Sequence, residues 1–197
     1  MAPKRLESEN VSPAPLAKPL VFEYSGKTAK NRFLKAAMTE RLSTWDPKNH
    51  EARGVPTKEL INLYRRWGEG GYGMILTGNI MMEYTELEAA GNAIIPSTAP
   101  FSGERFEAFQ KLATESKKEG SLIIGQISHP GRQVAEHINK HPISASDVKL
   151  DPRMGMEFGK PRPANDEDIE RVIEGFAHAA EYLHKSGYDG IELHGAQ

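Results

Sequence analysis

Apolar positions along the chain fall into two kinds of spacing. Four short runs are nearly continuous: Phe33-Leu34-Lys35-Ala36-Ala37-Met38, Gly73-Met74-Ile75-Leu76-Thr77, Leu122-Ile123-Ile124-Gly125-Gln126 and Gly190-Ile191-Glu192-Leu193-His194. Runs of that length without clean alternation predict parallel strands covered on both faces. Three longer segments repeat their apolar residues at helical spacing. Residues 57–67 open on Thr57, a good N-cap, and place Leu60, Ile61, Tyr64 and Trp67 on one face. Residues 103–118 align Phe106, Phe109, Leu112 and Ala113. Residues 166–185 carry Ile169, Val172, Ile173, Phe176, Ala180 and Leu183, with acids in the first turn and Gly187 past the end.

Strands alternating with helices imply a parallel sheet with right-handed crossovers. The predicted strands end in polar or small residues (Met38-Thr39, Thr77-Gly78-Asn79, Gln126, His194). In parallel α/β folds, open or closed, that carboxyl end is where ligands bind. Neither GxGxxG after the first strand nor GxxxxGK[ST] occurs, which argues against Rossmann and P-loop folds. Residues 128–165 break the alternation with prolines at 130, 142, 152, 161 and 163. So long a connection predicts a loop lying over a site. Residues 1–17, with prolines at 3, 13 and 15, read as a disordered or loosely packed arm.

Composition then removes several chemistries. There is no cysteine, so disulfides, thiolate metal sites and cysteine nucleophiles are excluded. A net charge of −2 gives no electrostatic reason to expect nucleic acid or an anionic membrane as partner. No run reaches the roughly 18 apolar residues of a membrane span, and no signal core opens the chain, so a cytoplasmic protein is expected. Among the histidines, His194 closes a predicted strand and is the candidate for chemistry. His129 and Arg132 are expected to anchor the long loop, and His137 and His141 to lie on its surface. His178 and His184 are six residues apart on a helix and do not share a face, which argues against a zinc pair. Glu192 alternates with Ile191 and Leu193 and is read as structural.

Several segments together resemble one family. They are Asn31-Arg32-Phe33 through Met38-Thr39, Leu76-Thr77-Gly78-Asn79, Gly125-Gln126 through Gly131-Arg132, Ile143-Ser144-Ala145-Ser146 and Gly187-Tyr188-Asp189-Gly190-Ile191-Glu192-Leu193-His194-Gly195-Ala196. In this order they resemble the old yellow enzyme family of FMN-dependent ene-reductases and NADH:flavin oxidoreductases. The resemblance runs from about residue 18 to the last residue. It implies a (β/α)8 TIM barrel of which residues 18–197 supply about strands one to four. The family's later phosphate-binding loops, its fifth-strand arginine and the tyrosine after the histidine motif are not in the chain, which therefore resembles an N-terminal half.

The resemblance also implies roles. Ala36, Ala37, Met38 and Thr39 would run along an FMN ring, with the Thr39 hydroxyl near its C4 carbonyl. Gln126 would bind the pyrimidine edge. Asn79 stands where the family has Ala or Gly. His194 and Gln197 would grip the substrate's carbonyl or nitro oxygen, and Arg41 would contact the substrate where some relatives carry tyrosine. The implied reaction is a ping-pong hydride transfer from NADH or NADPH through flavin N5 to an activated alkene or related electrophile. A homo-oligomer is left open. The alternative reading is a catalytically inactive half-barrel that acts as an interaction or assembly module.

Overall fold

The computed structural model describes residues 11–153 and 155–195. Chain order begins with α1 (Ala14–Ala17), β1 (Leu20–Val21), β2 (Thr28–Ala29), β3 (Leu34–Lys35), α2 (Lys58–Glu69), β4 (Met74–Met81) and β5 (Ala93–Ile94). It continues with α3 (Gly103–Lys117), β6 (Leu122–Ser128), β7 (Ile143–Ser144), β8 (Arg162–Pro163), α4 (Asp166–Lys185) and β9 (Gly190–His194). The main sheet is parallel with strands in the order β3-β4-β6-β9, and β5 pairs with the far end of β4. Strand order follows chain order, as expected when each helix returns the chain to the next position in a curling sheet. β1 and β2 form a separate antiparallel hairpin. Of the arm, residues 1–10 lie outside the described residues; α1 buries nothing and is held by the Arg32 N–H donating to the Leu16 carbonyl at 2.9 Å.

Two of the three long helices, α2 and α4, start at a side-chain cap. The Thr57 side chain accepts from the Leu60 N–H, and such a cap is worth about 1 kcal/mol. Asn165 and Asp168 form a reciprocal capping box at α4. The Asp168 carboxyl is held far below its ordinary range, first by the Arg162 guanidinium and then by the Asn165 N–H. The helices cover one face of the sheet. Ile75, Ile80, Ile123 and Ile127 from the strands meet Leu60, Tyr64, Phe109, Leu112, Tyr182 and Leu183 from the helices, all buried. Gly125 permits the closest approach: a Cβ there would lie 2.5 Å from Leu183 Cδ1.

Two sequence expectations need correction. The first strand was expected over residues 33–38, but only Leu34 and Lys35 pair, with Met74 and Ile75. The ladder stops because β4 bulges between Leu76 and Asn79. The Gly78 N–H that could have met residues 36–38 donates instead to Glu40 Oε1 at 3.0 Å. On α4, Ile169 and Ile173 are exposed, although they belong to the periodic apolar set. The helix packs through the other four residues of that set, Val172, Phe176, Ala180 and Leu183, with Gly175, Ala179 and Tyr182 buried beside them. Within the long connection, β7 and β8 pair in parallel.

Candidate active site at the carboxyl ends of the strands

The bulge on β4 organises the site. The Gln126 N–H of β6 donates to Thr77 Oγ1 at 2.9 Å, so a side chain replaces the missing ladder carbonyl. Glu40 and Tyr64 share the freed Gly78 N–H, at 3.0 and 3.1 Å, and the Tyr64 hydroxyl donates to Glu40. Burial, followed by the neighbouring Glu40, pushes the Tyr64 hydroxyl well above its ordinary pKa. This cluster draws the segment before Glu40 down onto β4. Gly78 is obligatory there: a Cβ would lie 2.3 Å from the Met38 carbonyl oxygen. Beneath it, Lys35 is buried, donates to the Leu76 carbonyl at 2.8 Å and lies 3.9 Å above the Trp67 ring. Burial lowers its pKa to about 8 against the opposing pull of Glu40.

Above the bulge opens a polar cleft of about 220 Å3, lined by Ala37, Met38, Thr39, Asn79, Glu88, Gln126, Gln133 and His194. Register explains the convergence. Asn79 is beside Gln126, which is beside Glu192, and Ser128 is beside His194, so these side chains leave one face of the sheet. Asn79 Oδ1 accepts from the Ser128 hydroxyl at 3.4 Å. Thus Ala37, Met38, Thr39, Asn79, Gln126 and His194, singled out from sequence, meet in one cavity. Ala36 is exposed and is not among the lining residues. Gln197 lies outside the described residues.

Arg41 does not line the cleft but sits one hydrogen bond behind its wall, donating to Glu88 Oε1 at 2.9 Å. It is the positive-φ residue other than glycine among the described residues, with φ 56°. Such a backbone costs on the order of 1–3 kcal/mol and gathers at functional positions. Glu88 is buried, and its second oxygen has no partner.

Of four further side chains here, sequence reasoning placed Gln133 only in the loop, read Glu192 as structural, and passed over Glu40 and Glu88. Gln133 follows the His129-Pro130-Gly131-Arg132 stretch and was hidden in the loop. Glu88 has no pattern around it. Glu40 was masked by its neighbour Thr39. Glu192 was legible, because it lies two residues before His194 on a strand and must share its face.

The residues present suit the edge of a flavin ring. Its imide edge offers acceptor, donor and acceptor in line, and a primary amide such as Gln126 supplies both complements. Among the described residues Gln126 Nε2 donates to Glu192, while its Oε1 accepts no hydrogen bond. The Thr39 hydroxyl and the Asn79 amide add donors along the same wall. Among the described residues the lining contains no lysine or arginine.

A parallel α/β half-barrel with a polar cleft at its strand ends is the architecture of part of a (β/α)8 barrel. The profile of the NADH:flavin oxidoreductase / NADH oxidase family matches residues 15–197, and the chain belongs to that family. It is 53% identical to an NADH-dependent flavin oxidoreductase of Aspergillus parasiticus over 187 residues, covering 94% of this chain and 42% of the relative. It is 32% identical to the NADH:acrylate oxidoreductase of Vibrio harveyi, covering 93% of this chain and 17% of the relative. The old yellow enzyme homologue from Zymomonas mobilis superposes with a TM-score of 0.70 at 24% identity, covering 91% of this chain and 48% of that one. The old yellow enzyme from Trypanosoma cruzi gives a TM-score of 0.75 at 22% identity, covering 92% and 51%. The chain therefore spans about half the length of these structures, and less than half of the two named sequence relatives. The fold is the corresponding part of a (β/α)8 barrel, in an enzyme family that acts on small molecules with flavin and a nicotinamide reductant. Among the described residues no helix is long and apolar enough to cross a membrane.

Proposed function

We propose that this chain forms the ring-binding and substrate-gripping half of an FMN-dependent NAD(P)H oxidoreductase that reduces activated alkenes or related electrophiles. The observation that carries the reading is the single cleft shared by Thr39, Gln126 and His194, which come from the segment after β3, from β6 and from β9. Bound FMN supplies the hydride transfer between nicotinamide and substrate. Gln126 and Thr39 hold the edge of the ring, and the backbone of residues 36–38 lies along it. Asn79 contributes an amide where the family has a smaller residue. His194, together with Gln197 three positions further along the sequence, grips the electronegative oxygen of the substrate. Donors aimed at an oxygen that gains charge stabilise the transition state, and losing one costs on the order of 10²-fold in rate. Arg41, paired with Glu88 just outside the cleft, is the contact for a substrate that reaches beyond the lining.

The test is a titration of the purified chain with lumiflavin and with FMN, followed by flavin fluorescence and visible absorption. Weak, saturable binding of both at similar affinity is expected, because the cleft addresses the ring. Substituting Gln126→Ala should abolish it. Failure of either flavin to respond at millimolar concentration, or binding that ignores Gln126→Ala, would overturn the reading.

A further inference from the structure

Glu192 is the residue the proposed reaction leaves without a task, yet it touches two of the groups assigned one. Glu192 and His194 leave the same face of β9, beside Gln126 and Ser128 of β6. One oxygen of Glu192, Oε1, lies 3.2 Å from Gln126 Nε2 and 3.3 Å from His194 Nδ1. An ionised carboxylate can only accept, so both protons must come from its neighbours.

Two consequences follow from that constraint. The Gln126 amide must turn Nε2 toward Glu192, which leaves Oε1 and the second N–H for a ligand. The His194 ring must carry its proton on Nδ1, so in the neutral ring Nε2 holds a lone pair. Nε2 then donates to a ligand oxygen only when the ring carries both protons. The other charged groups at the cleft among the described residues are Glu88 and Arg41, and they pair with each other at 2.9 Å. The remaining polar side chains facing it are the neutral Thr39, Asn79, Gln126 and Gln133. Glu192 is therefore the carboxylate in direct contact with the ring.

We propose that Glu192 is the positioning residue of this site, holding His194 in the Nδ1–H form and Gln126 with its amide oxygen toward the cleft, so that His194 grips a ligand oxygen as an imidazolium. Its catalytic consequence rests on the function proposed above, but its geometry does not. The ligand this arrangement prefers is one whose oxygen carries or gains negative charge, because an imidazolium pairs with it and the neutral ring offers a lone pair that repels it.

The experiment is a long-range 1H–15N correlation on the chain labelled with 15N-histidine, recorded where the ring is neutral, with His194 assigned by its loss in His194→Asn. A pyrrole-like Nδ1 and a pyridine-like Nε2 are expected. In Glu192→Ala, the Nε2–H form that free histidine favours should take over. In Glu192→Gln, which keeps the shape should the alanine variant not fold, a mixture of the two forms is expected. A wild-type ring found as Nε2–H, or an unchanged Nδ1–H form in whichever variant folds, would overturn the proposal. Glu192→Ala should also weaken lumiflavin binding by about threefold to tenfold, the effect of releasing one orienting hydrogen bond. A wild-type chain that shows the Nδ1–H form and binds no flavin would contradict the function proposed above while leaving the role of Glu192 supported.

Discussion

Glu86 should make the stability of this protein fall as pH rises through the neutral range. Its side chain is buried, with Oε1 accepting from Asn139 Nδ2 at 3.0 Å and Oε2 without a partner. Burial, reinforced by Glu83, pushes its pKa from 4.5 to about 7, against the pull of the Ile143 N–H, Arg171 and Arg162. Because the folded pKa is raised, the native state binds more protons than the unfolded chain between those values, and stability drops across that window as pH rises. At ~1.36 kcal/mol per unit, the full penalty above about pH 7 is about 3 kcal/mol. Glu86→Gln keeps an acceptor for Asn139 and removes the titration. The variant should match wild type near about pH 4 and exceed it by up to about 3 kcal/mol near about pH 8. Urea unfolding followed by the fluorescence of Trp45 and Trp67 across that range measures the difference. A difference that stays constant with pH, or narrows as pH rises, would refute the reasoning. Asn139 and Ile143 belong to the same long connection as Gln133, so the variant should also firm the loop that closes one side of the cleft.

The remaining predictions concern the bulge, the buried cation and the sheet edge. Gly78→Ala drives a Cβ against the Met38 carbonyl and Glu40; a loss of about 1–3 kcal/mol in urea unfolding is expected, together with loss of flavin binding. Lys35 has its folded pKa lowered from 10.5 to about 8, so the unfolded chain binds more protons in that window and wild-type stability should climb by up to about 3 kcal/mol as pH rises through it. Lys35→Met should flatten that climb, and a slope unchanged in the variant would count against the assignment. Leu193 is 66% exposed on β9, the strand at one end of the sheet. Unpaired apolar edges promote association, so Leu193→Lys should shift the purified chain toward monomer in analytical ultracentrifugation.

The helices were the most legible part of the fold. Thr57 and Asn165 are caps whose chemistry is local, and the Phe106, Phe109, Leu112 and Ala113 stripe is buried as its spacing requires. Strand one was the least legible, because its end is decided at a distance. Whether residues 36–38 join a ladder depends on where the Gly78 N–H goes, and Glu40 and Tyr64 settle that from other parts of the chain. The exposed Ile169 and Ile173 show the complementary limit. Periodicity marks which residues are apolar, but the packed face of α4 is chosen by Gly175 and Ala179, the small residues that let the helix approach its neighbours. For Gly175 the neighbour is Met82, which a Cβ would meet at 3.2 Å.

The site was legible to the extent that it is written in strand ends. Thr39, Asn79, Gln126 and His194 close or directly follow predicted strands; parallel pairing brings Asn79, Gln126 and His194 to one rim, and the Glu40 contact to Gly78 brings Thr39. What the strand pattern does not carry is Glu40 and Glu88: Glu40 draws the Thr39 segment onto β4, and Glu88 lines the cleft while pairing with Arg41 outside it; Glu192, on β9, sits behind Gln126 and His194 and orients both. A carboxylate in that position accepts from its neighbour and so dictates which atom the neighbour turns outward. The Gln126 amide and the His194 ring have their direction set this way from behind. Chemistry that needs donors and acceptors at fixed points along a planar ligand requires such a second row, and reading only the residues that face the cavity leaves half of the arrangement out.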